Sequence, residues 1–252
     1  MSRKQQYSSL VRSSATTSAA ASIAILTLVL HEGKARAQTR FGDRGQLAIT
    51  GENLFAFSSE RRAEAQPTGD SVDVTNRFGI LFSDRLDSIG SPHDPQVGGH
   101  YFLSPSLSIG GTIGYESRGG SLTRAPAGNM IRPTESKDDV ATFVFMPKVG
   151  YALMLNDVLG FWFRAGPSFV RVGSSDGTDS RIKDSVSFWL LSADALLVVS
   201  PVQHFAFYVG PQGDISFAGS HSVTNVMGQT LSNNTSYRGI GIGAGLIGYL
   251  GL

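Results

Sequence analysis

The chain has no cysteine, so neither a disulfide framework nor a thiolate metal site holds it together. Charge is sparse too: Asp, Glu, Lys and Arg make up 16% of 252 residues, against roughly 25% in an average soluble domain. No uninterrupted apolar run reaches the ~18 residues of a membrane-crossing helix. The longest apolar stretch, Ala19–Leu30, is broken by Ser22 and Thr27. A strong excess of either sign is also missing, the formal net charge being +1. What the chain does have is glycine, 30 residues, and aromatics at 10%. Low charge with abundant glycine and aromatics points to an all-β chain whose surface need not be highly charged.

The N-terminus carries Arg3, Lys4 and Arg12, then the apolar stretch, then Ala35-Arg36-Ala37 before Gln38. A basic region, a short apolar region and a small-x-small site are the parts of a secretory signal. Residues 1–37 are therefore expected to be a cleaved export signal and residues 38–252 the mature domain. Cleavage removes five of the 21 basic residues and one of the 20 acidic ones, leaving 16 and 19 and a net charge of −3. No basic face remains to favour nucleic acid.

From Gln46 onward the hydrophobic pattern has period two, which a helix of period 3.6 would scatter. Phe205, Phe207, Val209, Pro211, Ile215 and Phe217 share one parity. Trp189, Leu191, Ala193, Ala195, Leu197 and Val199 share another, as do Leu159, Phe161, Phe163, Ala165, Pro167 and Phe169. Aromatics fall toward the two ends of these segments and aliphatic residues between them, the arrangement of a lipid-facing surface with two aromatic girdles. Tight turns are expected at Ser104-Pro105, Asn156-Asp157 and Ser200-Pro201, and long polar loops at 117–138, 173–184 and 218–236. Eight spanning strands follow, at about 45–58, 96–103, 106–116, 139–154, 158–172, 185–200, 202–217 and 236–250. Segment 72–83 is strand-like but would upset the count, so it is placed in the first long loop as an extension or flap. A ten-strand count is the alternative.

The export signal, the Phe41-Gly42-Asp43-Arg44-Gly45-Gln46 start, the long strands and the short apolar last strand resemble the small bacterial outer-membrane β-barrels of the OmpA/OmpX/OmpW-like type. The resemblance covers about residues 40–252. It implies an eight-stranded antiparallel up-and-down transmembrane barrel in contact with outer-membrane lipids. Proteins of this type serve as anchors, adhesins, narrow channels, carriers of apolar molecules or lipid-A-modifying enzymes. One departure is the C-terminus, Tyr249-Leu250-Gly251-Leu252, where the type usually ends on an aromatic residue.

Several motifs dissolve on inspection. Gly243-x-Gly245-x-x-Gly248 lacks the helix and acidic residue of a dinucleotide fingerprint. The stripe Gly239, Gly241, Gly243 and Gly245 instead leaves room for larger side chains in a narrow lumen. Asp176-Gly177-Thr178-Asp179 lacks the remaining ligands of a calcium loop, and Asn233-Asn234-Thr235 is a chance sequon. No cofactor or metal is expected. A catalytic role would need His100 or His204 beside a serine and a carboxylate, and no nucleophile motif is present, so no enzyme is expected.

The parity that carries no aromatic girdle carries the charges Glu116, Lys148, Arg164, Asp194 and Asp214. An eight-stranded lumen is only wide enough for side chains. These groups are therefore expected to form a buried polar network, with Lys148 and Arg164 as cationic hub, Asp194 facing Arg164, and His204 and Tyr208 nearer the periplasmic end. The function expected is a plugged barrel that is structural or contacts an extracellular partner through its loops. A narrow channel or carrier for small solutes is the alternative, and a lipid-modifying enzyme comes third.

Overall fold

Alternating side chains make two-faced strands, and such strands gain most by pairing until no edge remains. The computed structural model describes residues 40–64, 71–80, 92–123, 134–175 and 183–252. Residues 1–37, expected to be the export signal, and residues 176–179 lie outside them. The described residues form nine strands: β1 Gln46–Glu64, β2 Ser71–Ile80, β3 Gln96–Ser104, β4 Leu107–Thr123, β5 Thr134–Met154, β6 Leu159–Ser175, β7 Lys183–Val202, β8 Phe205–Thr224 and β9 Thr230–Gly251. All are antiparallel. β1, β3, β4, β5, β6, β7, β8 and β9 follow one another, and β9 pairs back onto β1, which closes an eight-stave barrel.

β2 makes the second stave a composite. The lower half of β1 pairs with β3, from Leu47↔Tyr101 to Glu52↔Gln96. On the same edge, its upper half pairs with β2, from Phe55↔Ile80 to Glu64↔Ser71. Segment 72–83, as far as it is described, is thus an extension of the first hairpin rather than an added stave. Among the described residues β2 pairs with no strand on its other edge, and β4 above Ile113 pairs only with β5. Among the described residues the wall has a seam there.

Within the described residues, the expected polar loops are largely strand. β4 to β9 run 17 to 22 residues, whereas a tilted strand crosses hydrocarbon in about 9–11. Segment 218–236 is mostly ladder, pairing Ser220↔Asn234 through Thr224↔Thr230 and leaving only Asn225–Gln229 as a turn. Composition misleads here: Ser, Thr, Asn and Gly are common in loops, but two antiparallel chains leaving the bilayer side by side satisfy their backbone groups most simply by continuing the ladder. The turn expected at Ser200-Pro201 lies later, at Gln203-His204. There His204 takes φ +68° and the Ser200 hydroxyl bonds the Val202 and Phe205 carbonyls at 3.2 and 3.1 Å. At the 155–158 turn, Asn156 Oδ1 accepts from the amides of Val158 and Leu159 at 2.9 and 2.8 Å.

Outside, the barrel presents a continuous apolar belt. Ile109, Ile113, Phe145, Val149, Phe163, Leu191, Val209 and Ile242 are all exposed. Aromatics bound it, with Tyr101, Tyr151 and Phe161 toward the tight turns and Tyr115, Phe143, Trp189 and Phe217 toward the long extensions. An exterior this apolar is stable only in lipid.

Candidate functional site: the filled lumen

Inward residues of a closed barrel meet across a space they must fill. The lowest layer is apolar. The lead-in segment folds under the barrel and places Phe41 inside it, edge-on to Phe102, Trp162 and Tyr249 with ring centroids 5.3–5.4 Å apart. Gly42 N donates to Gln46 Oε1 at 2.8 Å, and Arg40 Nη2 donates to the Met154 carbonyl at 2.5 Å, which fixes the segment in place. Ala48, Ala152, Leu196, Val198, Ala206 and Ile247 complete this layer. His100 belongs to it, its ring edge-on to Trp162 at 4.8 Å. His204 lies in its turn, with Nδ1 2.9 Å from the Tyr249 carbonyl. Neither histidine meets a serine and a carboxylate in the order of a nucleophilic triad.

Above lies the charge layer. Arg164 and Asp194 are cross-strand partners on β6 and β7. Arg164 Nε and Nη2 lie 3.0 and 2.8 Å from Asp194 Oδ2, and Lys148 Nζ reaches the same oxygen at 2.8 Å. On its other side the guanidinium grips Glu52, Nη1 to Oε1 and Nη2 to Oε2 at 3.0 Å. Thr50 Oγ1 donates to Glu52 Oε1 at 2.8 Å. The guanidinium carbon sits 4.7 Å from the Trp162 ring centroid and 5.9 Å from that of Tyr208. Two cations and two carboxylates, all buried, leave the layer neutral. That balance is what makes buried charge tolerable, since an unpaired ion in this environment costs several kcal/mol.

Glu52 is not among the residues expected in this network, although its position carries the signal. It lies mid-strand on the parity of Gln46, Ala48 and Thr50, and a carboxylate there cannot face lipid. A bulge follows it: Gly51 opposes Leu246 but Phe55 opposes Ala244, so β1 carries two extra residues. Asn53 adopts φ +55° and turns inward beside Glu52.

The third layer is polar and receives chain from the composite stave. Pro92, His93 and Asp94 are buried. Asn53 Nδ2 lies 3.5 Å from the Pro92 and Asp94 carbonyls, and Gln96 Nε2 donates to the Pro92 carbonyl at 2.7 Å. His93 spans Gln212 Oε1 through Nδ1 and Asp214 Oδ2 through Nε2, each at 3.1 Å. Asp214 also accepts from Ser192, which bonds Ser168 at 2.6 Å. The carboxylate lies between hydroxyl and imidazole, so His93 is not placed to take a proton from Ser192. His93 lies between the alternating segments, and alternation gives no sign that such a connection folds inward. Glu116 lies higher in the barrel, half-buried on β4 opposite Thr142. It lies six residues above the Gly110–Lys148 level, roughly 20 Å along the strand. Higher still the lumen is apolar again, with Val144, Val170, Val172, Val186, Phe188, Leu190 and Tyr237, and above them His221 pairs with Glu64 and Asp184.

The glycine stripe of β9 makes these contacts possible. A Cβ at Gly245 would stand 2.6 Å from the Tyr208 hydroxyl, and one at Gly243 the same distance from Asn53 Oδ1. Among the described residues no group of three or more His, Asp or Glu side chains is arranged to hold a metal ion.

A closed antiparallel barrel with a lipid-facing belt and a filled interior is a transmembrane β-barrel. No protein-family model and no curated protein matches the chain. Among solved structures it is similar to Ail, the attachment invasion locus protein of Yersinia pestis, at 13% identity over 81% of this chain and 99% of that one, with TM-score 0.36. The outer membrane protein OprG of Pseudomonas aeruginosa is similar at 9% identity over 83% and 98%, with TM-score 0.47. The outer membrane protein AlkL, solved in lipid bilayers, is similar at 14% identity over 88% and 97%, with TM-score 0.46.

Proposed function

We propose that the protein is exported by residues 1–37 and resides in a bacterial outer membrane as a closed, non-conducting barrel. Its role is structural or surface-interacting, exercised by the strand extensions and loops beyond the bilayer. The filled lumen carries this reading: Phe41 and its ring partners close the bottom, the Arg164 layer spans the middle, and the Pro92–Asp94 segment occupies the space above. The interior network of Lys148, Arg164, Asp194 and Glu52, with Tyr208 and Asp214 at its borders, is a stabilising element rather than a solute path. Strands longer than the bilayer requires hold the outer ends as a rigid display. Refolded protein in planar bilayers should show no discrete openings. Steady, reproducible conductance steps would overturn the reading.

A second reading, a carrier for small apolar solutes, is favoured by two observations: the upper inward cluster around Val144, Val172 and Phe188 is apolar and lies above the polar layer, and among the described residues β2 and β4 do not pair. Under it, the protein should raise the fluorescence of N-phenylnaphthylamine, and Val172→Glu should abolish that rise. Equal signals from the two proteins would remove this alternative.

A further inference from the structure

Arg61 on β1 and Arg238 on β9 are direct cross-strand partners, and both are exposed on the outer face. Paired residues stand about 5 Å apart, and like charges so placed repel. A carboxylate beside them would relieve this, and the register supplies none. The flanking partners in the same row are Ile215 on β8 and Val74 on β2. Along the strands the neighbours on that face are Ser59, Ala63, Ser236 and Ile240. The nearby acidic residues, Glu60, Glu64, Asp73 and Asp214, all fall on the opposite parity of their strands, where Glu64 is held by Arg62 and His221 and Asp214 by His93. Neither guanidinium makes an ion pair with a described residue.

The level of this pair indicates what neutralises it. Ile240 lies one step below Arg238 on the same face, then Ile242 opposite Phe57, all exposed and part of the apolar belt. The doublet therefore sits at the rim where the belt ends. A molecule held there meets cations at one end and hydrocarbon-facing side chains at the other. Arg171 makes the contrast: it is exposed on β6, between Phe143 and Ser187, and is a single cation. A lone arginine at a rim needs only water for its charge, whereas a doublet gains from one anion shared by two planar guanidiniums.

We propose that Arg61 and Arg238 form a binding site for the phosphate of an anionic lipid of the outer leaflet, with its acyl chains along Phe57, Ile240 and Ile242. The proposal rests on the membrane orientation given above. The test uses wild type, R61Q, R238Q and R171Q, each refolded into vesicles of phosphatidylcholine alone and of phosphatidylcholine containing diphosphoryl lipid A. The quantity read is the temperature at which the folded form on a detergent gel is lost. In phosphatidylcholine, R61Q and R238Q should each raise that temperature, because repulsion is relieved. In the lipid A vesicles they should lower it, because a ligand contact is lost. R171Q should show no such inversion. A shift of the same sign in both vesicles would overturn the proposal while leaving the barrel intact, as the gel shift itself would show. Reproducing the inversion by adding inorganic phosphate to phosphatidylcholine vesicles would also overturn it, by assigning the doublet to a free anion. Failure of wild type to give any heat-dependent gel shift would instead strike at the membrane-barrel reading.

Discussion

Replacing Arg164 by methionine removes every contact its guanidinium makes to Glu52 and Asp194 while roughly keeping side-chain volume. The two carboxylates are not equally harmed. Asp194 keeps Lys148 at 2.8 Å. Glu52 keeps the Thr50 hydroxyl at 2.8 Å and is left as a buried charge without a bonded cation. Breaking a buried ion pair by removing one partner costs about 3–5 kcal/mol, and most of that falls on Glu52. Removing the orphan as well, in Arg164→Met with Glu52→Gln, leaves a neutral amide that still accepts from Thr50. The double variant should therefore lie about 1–2 kcal/mol below wild type, above the single one. The chain has two tryptophans. Trp189 faces outward, and Trp162 is buried against Arg164. In a Trp189→Phe background, Trp162 fluorescence during urea unfolding in micelles reports the layer directly. A double variant as unstable as the sum of the two singles, within about 0.5 kcal/mol, would refute the reasoning, because additivity means the groups do not depend on one another.

Other outcomes follow from the same geometry. Val149→Arg, in the middle of the outer belt, should cost about 2–4 kcal/mol of folding stability in bilayers, measured by denaturant titration, and the exposed Arg171 position shows where the same residue is harmless. Gly245→Val should block the contact with Tyr208 and Gly51, reducing the yield of heat-modifiable folded barrel, with Tyr208→Ala restoring part of it. In the outer extension, burial pushes the Glu64 carboxyl up, but hydrogen bonds from His221 and Asn233, with the His221 and Arg62 charges, outweigh it and hold Glu64 below the usual glutamate range. Its contribution is therefore fully present above the unfolded value of about 4.3 and is lost as pH falls through the lower folded value. Hydrogen exchange in the β8–β9 extension should quicken on acidification through that range, and Glu64→Gln should flatten the dependence.

The stave pattern was legible because lipid outside and a crowded lumen inside impose alternation on every crossing. The same alternation put Lys148, Arg164, Asp194 and Asp214 on one face. It did not show where strands stop, since outside the bilayer both faces of β8 and β9 are polar and the period loses its contrast. Nor did it separate residues by height. His204 and Tyr208 are only four positions apart, yet one sits in a turn and the other packs near Arg164, because the turn lies a few residues later than Pro201 suggested. Glu52 and His93 depend on events with no period: a bulge that turns Asn53 inward, and a broken stave that carries Pro92–Asp94 into the lumen.

The bulge after Gly51 lies in the ladder that joins the first strand to the last. A slip of two residues along that ladder would keep every apolar side chain on the lipid side, so hydrophobicity cannot tell the right closure from its near miss. Such a slip moves a side chain by about 7 Å. Glu52 would then leave the guanidinium that its two oxygens share, and Gly243 would no longer clear space for Asn53. The buried charges therefore act as a proofreading device for ring closure: the seam can zip in several frames, but only one of them neutralises the lumen.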